Sequence, residues 1–389
     1  LLYPIPNNAV TLIFIRKPIF NLITIVFLDL LKKEHPIFDN STHINEAVRW
    51  LCRAQDSTKD NNGVSEGYHL FHGWLPSYPE TTGYIIETFF DYFRLSCDET
   101  IKNRAILMAD WLIAVQNEDG SVPDSHFRKK MVFDTGQVIF GFVKAYEETK
   151  REEYKKAAVK AGEWLTNVQE KDGSWQKYAF KKIPHTYYTR VAWSLAKLYS
   201  ITKEERFLSV CVKNIHWAIA QQEENGWFNC ASFNLRNHTR PYTHTIAYTI
   251  RGILETGLYL RENTFIESAI KSINNLLENI SDNGGIHGSY DRYWKGDKRF
   301  SCLTGSAQLA IILFKIYMIT KNNKYLIAGK RINEYLKRKQ ELRIRNNNIY
   351  GAVAGSYPIW GEYIHFMYPN WASKFFVDSL MLEKSLERS

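Results

Sequence analysis

Residues able to move protons or grip a sugar recur in six clusters along the 389-residue chain. The first holds Trp74 and Glu80, and the second Asp134. The third holds His185, Tyr187, Tyr188 and Arg190; the fourth holds His244, Tyr248 and Arg251. Tyr290 and Asp291 form the fifth, and Trp360, Glu362, Tyr368 and Asn370 the sixth. Aromatic rings stack on sugar faces, and an arginine fork holds a uronate carboxylate through paired hydrogen bonds. Histidine, tyrosine and carboxyl groups exchange protons. Two chemistries suit such a set. Removing the proton beside a uronate carboxylate gives β-elimination or C5 epimerisation. It needs a base, an acid and neutralisation of the carboxylate: Tyr188 or Tyr248, His185 or His244, with Arg190, Arg251 and Asn370. Glycoside hydrolysis commonly uses two carboxyls across the scissile bond, and Glu80, Asp134, Asp291 and Glu362 are the acids at hand.

Tyr, His and Arg outnumber well-placed acids, so the expectation is a lyase or C5-epimerase acting on a uronate-containing glycan. A glycoside hydrolase is the alternative. Glu80, Asp134, His185, Tyr188, His244 and Tyr248 are the expected catalytic residues. Trp74, Tyr187, Arg190, Arg251, Tyr290, Trp360, Tyr368 and Asn370 are the expected substrate contacts. Plainer roles compete. Glu80, Asp134 and Asn370 also suit the first turn of a helix, where free N–H groups welcome them. Arg190 and Arg251 fall inside apolar helical patterns, where an unpaired charge is costly. They must find acidic partners or face a wet cavity.

A repeat supplies the elements that would gather these clusters. Trp111-Leu112 precedes Gln116 and Asp119-Gly120; Trp164-Leu165 precedes Gln169 and Asp172-Gly173-Ser174-Trp175. Partial copies are Trp217, Gln221, Asn225-Gly226-Trp227, and Trp50-Leu51, Gln55. Glycine suits the tight turn after a helix, and the Gln is expected to tie a helix end to that turn. The period of about 50–60 residues holds one helical pair. Apolar residues recur at helical spacing, and two kinds of helix alternate. Charged, one-faced outer helices are expected at 43–55, 100–116, 153–169, 205–221, 264–279 and 324–340. Inner helices, poorer in charge, are expected at 81–93, 135–147, 185–199, 244–260, 303–319 and 369–382. Six of each predict an all-α fold, an (α/α)6 toroid over residues 36–389. An open helical solenoid is the alternative. In a toroid, residues ahead of each inner helix converge on one mouth.

The stretch Lys160-Ala161-x-x-Trp164-Leu165-x-x-x-Gln169-x-x-x-Gly173-x-Trp175 resembles the QW motif of squalene and oxidosqualene cyclases. That resemblance implies a helical toroid, and a terpenoid cyclase as a further alternative. The DxDD and DCTAE acids of those cyclases are absent, as is the DDxxD of prenyl synthases. In architecture and residue types the chain also resembles toroids that act on sugars: unsaturated glucuronyl hydrolases, sugar 2-epimerases and the helical domains of uronate lyases. The strings 73–84 and 351–361 look like those of proteins encoded with bacterial surface-polysaccharide genes. They imply a glycan context, and leave room for a non-catalytic role in polysaccharide biosynthesis or assembly.

The net charge of +9 and pI near 9.1 suit an acidic partner, here an acidic glycan. No nucleic-acid module is present, so no nucleic acid is expected. No GxGxxG, P-loop, HExxH or CxxC occurs, so neither a cofactor nor a metal is expected. The five cysteines are expected as free thiols. Residues 1–35 form an apolar segment broken by Arg16, Lys17, Pro18 and Asp29. It is expected to be peripheral, with residues 9–31 lying against the body or a membrane surface. No apolar run reaches the roughly 18–20 residues of a membrane span, and no signal-peptide pattern is clear. A cytoplasmic location is expected.

Overall fold

The computed structural model describes residues 22–58, 62–233 and 239–387. Residues 1–21, most of the apolar N-terminal segment, lie outside that set. Its remainder is helical over 22–30, where Ile23, Phe27 and Leu30 are exposed and Ile25 is buried. This stretch rests on the body: Asp29 accepts a hydrogen bond from the Ile359 amide at 2.8 Å.

Twelve helices follow: α1 (Asn40–Asp56), α2 (Pro79–Ser96), α3 (Glu99–Val115), α4 (Val132–Thr149), α5 (Glu152–Asn167) and α6 (Thr189–Thr202). They continue as α7 (Glu205–Ile219), α8 (Thr243–Leu260), α9 (Asn263–Leu277), α10 (Leu303–Thr320), α11 (Asn323–Lys337) and α12 (Asn370–Leu386). Even-numbered helices form the inner ring, each packed on the next, and α12 returns to α2. Each outer helix packs on the inner helix before it, and α1 packs on α12. The ring is therefore closed, an (α/α)6 toroid. Burial explains the two kinds of helix. In α8 every residue from Thr243 to Gly257 is buried. In α5 the buried residues are Tyr154, Ala157, Ala158, Ala161, Gly162, Trp164 and Leu165, one stripe at helical spacing. The inner helices approach closely where side chains vanish. A Cβ on Gly83 would lie 2.6 Å from the Val138 Cα, and one on Gly252 2.3 Å from the Thr189 carbonyl carbon.

The two ends of the ring differ. Five inner helices turn into their outer partners through two residues. The first takes the left-handed conformation: Cys97, Lys150, Lys203, Arg261 and Lys321, with φ between 55° and 60°. The second begins the next helix, and Asp98, Glu262 and Asn322 cap it by accepting an amide N–H. Long loops make the return journey, so the inner-helix N-termini open onto the loop-rich end. Two small sheets brace that end. Strand β1 (Gly67–His69) pairs antiparallel with β2 (Gly73–Trp74) and with β5 (Met367–Pro369), Tyr68 facing both Trp74 and Tyr368. Strands β3 (Ser301–Cys302) and β4 (Ser356–Tyr357) form the other. The β1–β5 pair joins the first long loop to the last.

The repeated Gln does more than cap its own turn. Gln116 donates to Gly120 O at 3.0 Å and to Ala157 O of the next outer helix at 3.0 Å. Gln169 reaches Gly173 O at 3.0 Å and Val210 O at 2.9 Å. Gln55 bridges Asn62 O and Arg104 O, and Gln340 bridges Gly351 O and His43 O. In the fourth copy the bridging residue is Gln222, not the expected Gln221. Gln222 donates to Ser268 O at 2.9 Å, whereas Gln221 reaches Trp217 O at 3.5 Å. At the remaining junction Ile280 stands four residues before Gly284. The turn glycines are needed for fit as well as for φ. Gly120 has φ 89°, and a Cβ there would meet Lys160 O at 2.2 Å. Removing one bridge deletes the hydrogen bonds that tie a turn to the neighbouring outer helix. Gln222→Ala should lower stability by roughly 1–3 kcal/mol, and Gln221→Ala by less than about 0.5 kcal/mol. Urea unfolding reads both, and equal losses would contradict the assignment.

Candidate active site

Five of the six inner helices start without a side-chain cap, whereas four of the six outer ones carry one. Among the described residues, α2, α4, α6, α8 and α12 have no N-cap side-chain hydrogen bond. Residues at or near the starts of these helices surround a cavity of about 240 Å³. Tyr78, Glu80 and Tyr84 line it from α2, and Phe133 and Asp134 from α4. Tyr187 and Tyr188 come from the turn before α6, His244 and Tyr248 from α8, and Tyr363 and Trp371 from around the start of α12. Glu80 and Tyr84, like His244 and Tyr248, are four apart, so one helix face delivers both. Phe133 centres the aromatic wall, 5.4 Å from Tyr187, 5.7 Å from Tyr188 and 5.4 Å from Tyr248, ring centre to ring centre.

The carboxyls facing this space are raised by burial. Burial raises Glu80 from 4.5 to about 7. The Tyr78 hydroxyl, donating to its Oε2 at 2.5 Å, and the Arg190 charge pull the other way. Burial, reinforced by the neighbouring Glu80, pushes Asp134 well above its usual range, and its Oδ2 has no hydrogen-bond partner. Glu66, a third acid on the wall, is also raised by burial. Helix N-termini favour carboxylates, but here desolvation wins. Glu80 is thus poised between its two forms near pH 7, and burial biases Asp134 towards its protonated form.

The other groups are neutral. Burial and the Arg190 charge push His244 well below 6.5, and Gln308 holds its Nδ1 at 2.7 Å. Burial keeps the Tyr188 and Tyr248 hydroxyls protonated by raising both. Neither expected arginine lines the cavity. The Arg190 Nε donates to Gln137 Oε1 at 2.6 Å. Its guanidinium lies 5.0 Å from the Phe140 and Tyr248 rings and 5.4 Å from Tyr84 and Phe375. Arg251 pairs with Glu255 at 3.4 Å and lies over Trp193. Both charges sit among barrel aromatics, behind the rings that face the cavity.

Six other expected residues are also placed elsewhere. His185 stacks on Tyr187 at 4.7 Å and donates through Nε2 to Phe180 O at 2.9 Å. Helix α6 begins at Thr189, four residues later than expected, so His185 belongs to the loop. Trp74 lies in β2 against Trp50 and Tyr68. Tyr290 packs on His287 and Trp294. Trp360 is 37% exposed, and Tyr368 is a β5 residue paired with β1. Asn370 ties α12 to the first loop and to α2, donating to Ser65 O and Thr81 Oγ1, both at 2.8 Å. Glu80, Asp134, Tyr188, His244 and Tyr248, all near an inner-helix start, converge on the cavity, whereas Tyr368 and Asn370 at the start of α12 are held in contacts with the first loop. Further upstream the long loops fold onto the rim. Tyr84, Phe133, Phe180, Phe233 and Trp371 line the cavity without having been expected. Helical spacing from Glu80 would have found Tyr84.

The model of the ulvan lyase N-terminal domain family matches residues 128–288, a span that includes Asp134, Tyr188, His244 and Tyr248. Among solved structures, an unsaturated glucuronyl hydrolase specific for heparin aligns with a TM-score of 0.73 and 14% identity, covering 90% of this chain and 98% of its own. The cellobiose 2-epimerase of Bacillus thermoamylovorans B4167 aligns with a TM-score of 0.71 and 13% identity, over 95% and 100%. The unsaturated glucuronyl hydrolase of Bacillus sp. GL1 gives 0.70 and 14%, over 90% and 97%. Curated proteins give no sequence match. The chain thus shares the fold of six-hairpin carbohydrate-active enzymes.

The Glu80 shift has a consequence for stability. Folded protein holds this proton up to about pH 7, the unfolded chain only to about 4.5. Stability from this group is therefore present at low pH and lost as pH rises between those values. Glu80→Gln should be more stable than wild type at about pH 8, with the difference closing towards about pH 4.5. Urea midpoints at the two pH values test this, and a less stable variant at the higher pH would refute it.

Proposed function

We propose that this chain is a glycan-cleaving enzyme in which Asp134 is the general acid and Glu80 the general base. The observation that carries this reading is the lining itself: two pKa-raised carboxyls on adjacent inner helices, and no Lys or Arg among the described lining residues. Hydrolysis passes through an oxocarbenium-like transition state, which develops positive charge and suits aromatic walls and carboxyls. Asp134 would protonate the departing oxygen, and ionised Glu80 would take a proton from the attacking water. An acid and base with separated pKa values are what this chemistry requires. The net charge of +9 favours an acidic glycan.

The family match over residues 128–288 favours β-elimination as a second reading. There the retained proton of Asp134 would hydrogen-bond the uronate carboxylate, in place of the arginines, and His244 with Tyr248 would move the substrate protons. This requires a negative transition state in a cavity without a lining cation, which ranks it second.

Uronate oligosaccharides separate the readings. Hydrolysis gives new reducing ends without ultraviolet absorbance from a new unsaturated uronate; elimination gives both. Glu80→Gln and Asp134→Asn should each lower kcat by roughly 100-fold or more. Wild-type kcat/KM should rise as pH rises through about 7, where Glu80 ionises, and Glu80→Gln should lose that limb. Full activity in both variants would overturn the assignment.

A further inference from the structure

A second, wider recess of about 940 Å³ adjoins the cavity, and Tyr78, Met131, Asp134 and Phe180 line both. Five lysines line its outer part: Lys129 and Lys130 from the loop before α4, and Lys177, Lys181 and Lys182 from the loop before α6. Lys130 is paired with Asp119 at 2.6 Å. Among the described residues the other four have no carboxylate at salt-bridge distance. Asp124, the acid beside them, accepts the His126 and Arg128 amides within its own turn. Like charges so concentrated repel one another unless an anion lies between them.

The backbone there is unusual as well. Lys181 and Lys182 are consecutive left-handed residues, with φ 57° and 55°. Glycine would take this conformation without strain, yet lysines occupy it. The turn is clamped to the candidate active site: the Phe180 amide donates to the Tyr188 hydroxyl at 2.9 Å, and Phe180 O accepts from His185. His185 and Tyr188 thereby position the lysines.

We infer that this recess is a subsite for the anionic groups, carboxylate or sulfate, of sugar units that extend beyond the one in the cavity. The inference rests on the reading that the cavity takes a sugar. At about 240 Å³ that cavity is smaller than the roughly 300–1,000 Å³ of ordinary ligand pockets. It holds a chain end, and the remainder of an oligomer must leave past Asp134 and across the lysines.

The test measures binding by calorimetry to full-length protein carrying Glu80→Gln, which removes turnover under the proposed mechanism. The probes are a uronate hexasaccharide, a sulfated neutral hexasaccharide, a carboxyl-reduced neutral hexasaccharide and a uronate monosaccharide. Adding Lys129→Ala, Lys181→Ala and Lys182→Ala should weaken binding of a charged hexasaccharide at least tenfold. It should also flatten the salt dependence, and leave the monosaccharide and the neutral oligomer within twofold. Whether the uronate or the sulfated oligomer shows the loss names the anion; loss with either supports the subsite. Equal binding of charged and neutral oligomers, or no loss in the triple variant, overturns it. Lys181→Gly with Lys182→Gly gives an independent check: stability should rise as the strain is relieved while charged-oligomer binding falls. Should Glu80→Gln still turn over substrate, the acid–base assignment fails, and the lysine-dependent binding is then read on that active protein as it stands.

Discussion

Closure of the ring is the constraint on which everything else depends. At five of the six junctions an outer helix is joined to the next by a glutamine that serves both, and at four of these a glycine is pressed against the neighbour's backbone. Individually such bonds contribute about 1 kcal/mol. Around the ring they set the tilt and spacing of successive hairpins, and so bring α12 back onto α2 and α1. Without that return, the first turns of six inner helices would face different surfaces. With it, Glu80, Asp134, Tyr188 and His244, spread over 165 positions of sequence, face one cavity.

The same closure determines the chemistry. Helix N-termini, a tyrosine hydroxyl and a nearby arginine all favour an ionised Glu80. Burial among aromatics opposes them and prevails. Burial raises Asp134 as well, and the neighbouring Glu80 adds to it. The arginines, which would supply positive charge to a uronate, are held behind the wall by stacking on Phe140, Tyr248 and Trp193. The positive charge nearest the cavity therefore lies at the rim, where two adjacent loops carry lysines.

Much of this was legible in the order of residues. The alternation of one-faced and fully apolar helices predicts twelve helices and their pairing, because burial stripes follow helical period. Glu80, Asp134 and His244 lie in the first turn of an inner helix and Tyr248 one turn further along the same face, so helical period alone places them near one end of the ring. Trp74, Tyr290 and Trp360 sit farther upstream, on segments whose path depends on what they pack against, and Tyr368, two residues before α12, is held by the β1–β5 pairing. The two-residue turns carry a repeat of their own: Thr149-Lys150, Thr202-Lys203 and Thr320-Lys321 are three of its copies. It is weakly marked, since lysine is an uncommon choice for a left-handed residue. Gln221 and Gln222 are adjacent and chemically identical; only the neighbour's carbonyl distinguishes them.

The sequence alone determined the helical class, the six-fold repeat and the first-turn acids, because these follow from local period and residue type. The tertiary structure alone decided which side chains share a cavity, which acids burial raises and where the cations lie. Those outcomes depend on distance and desolvation between segments far apart in the chain, and no local pattern records either.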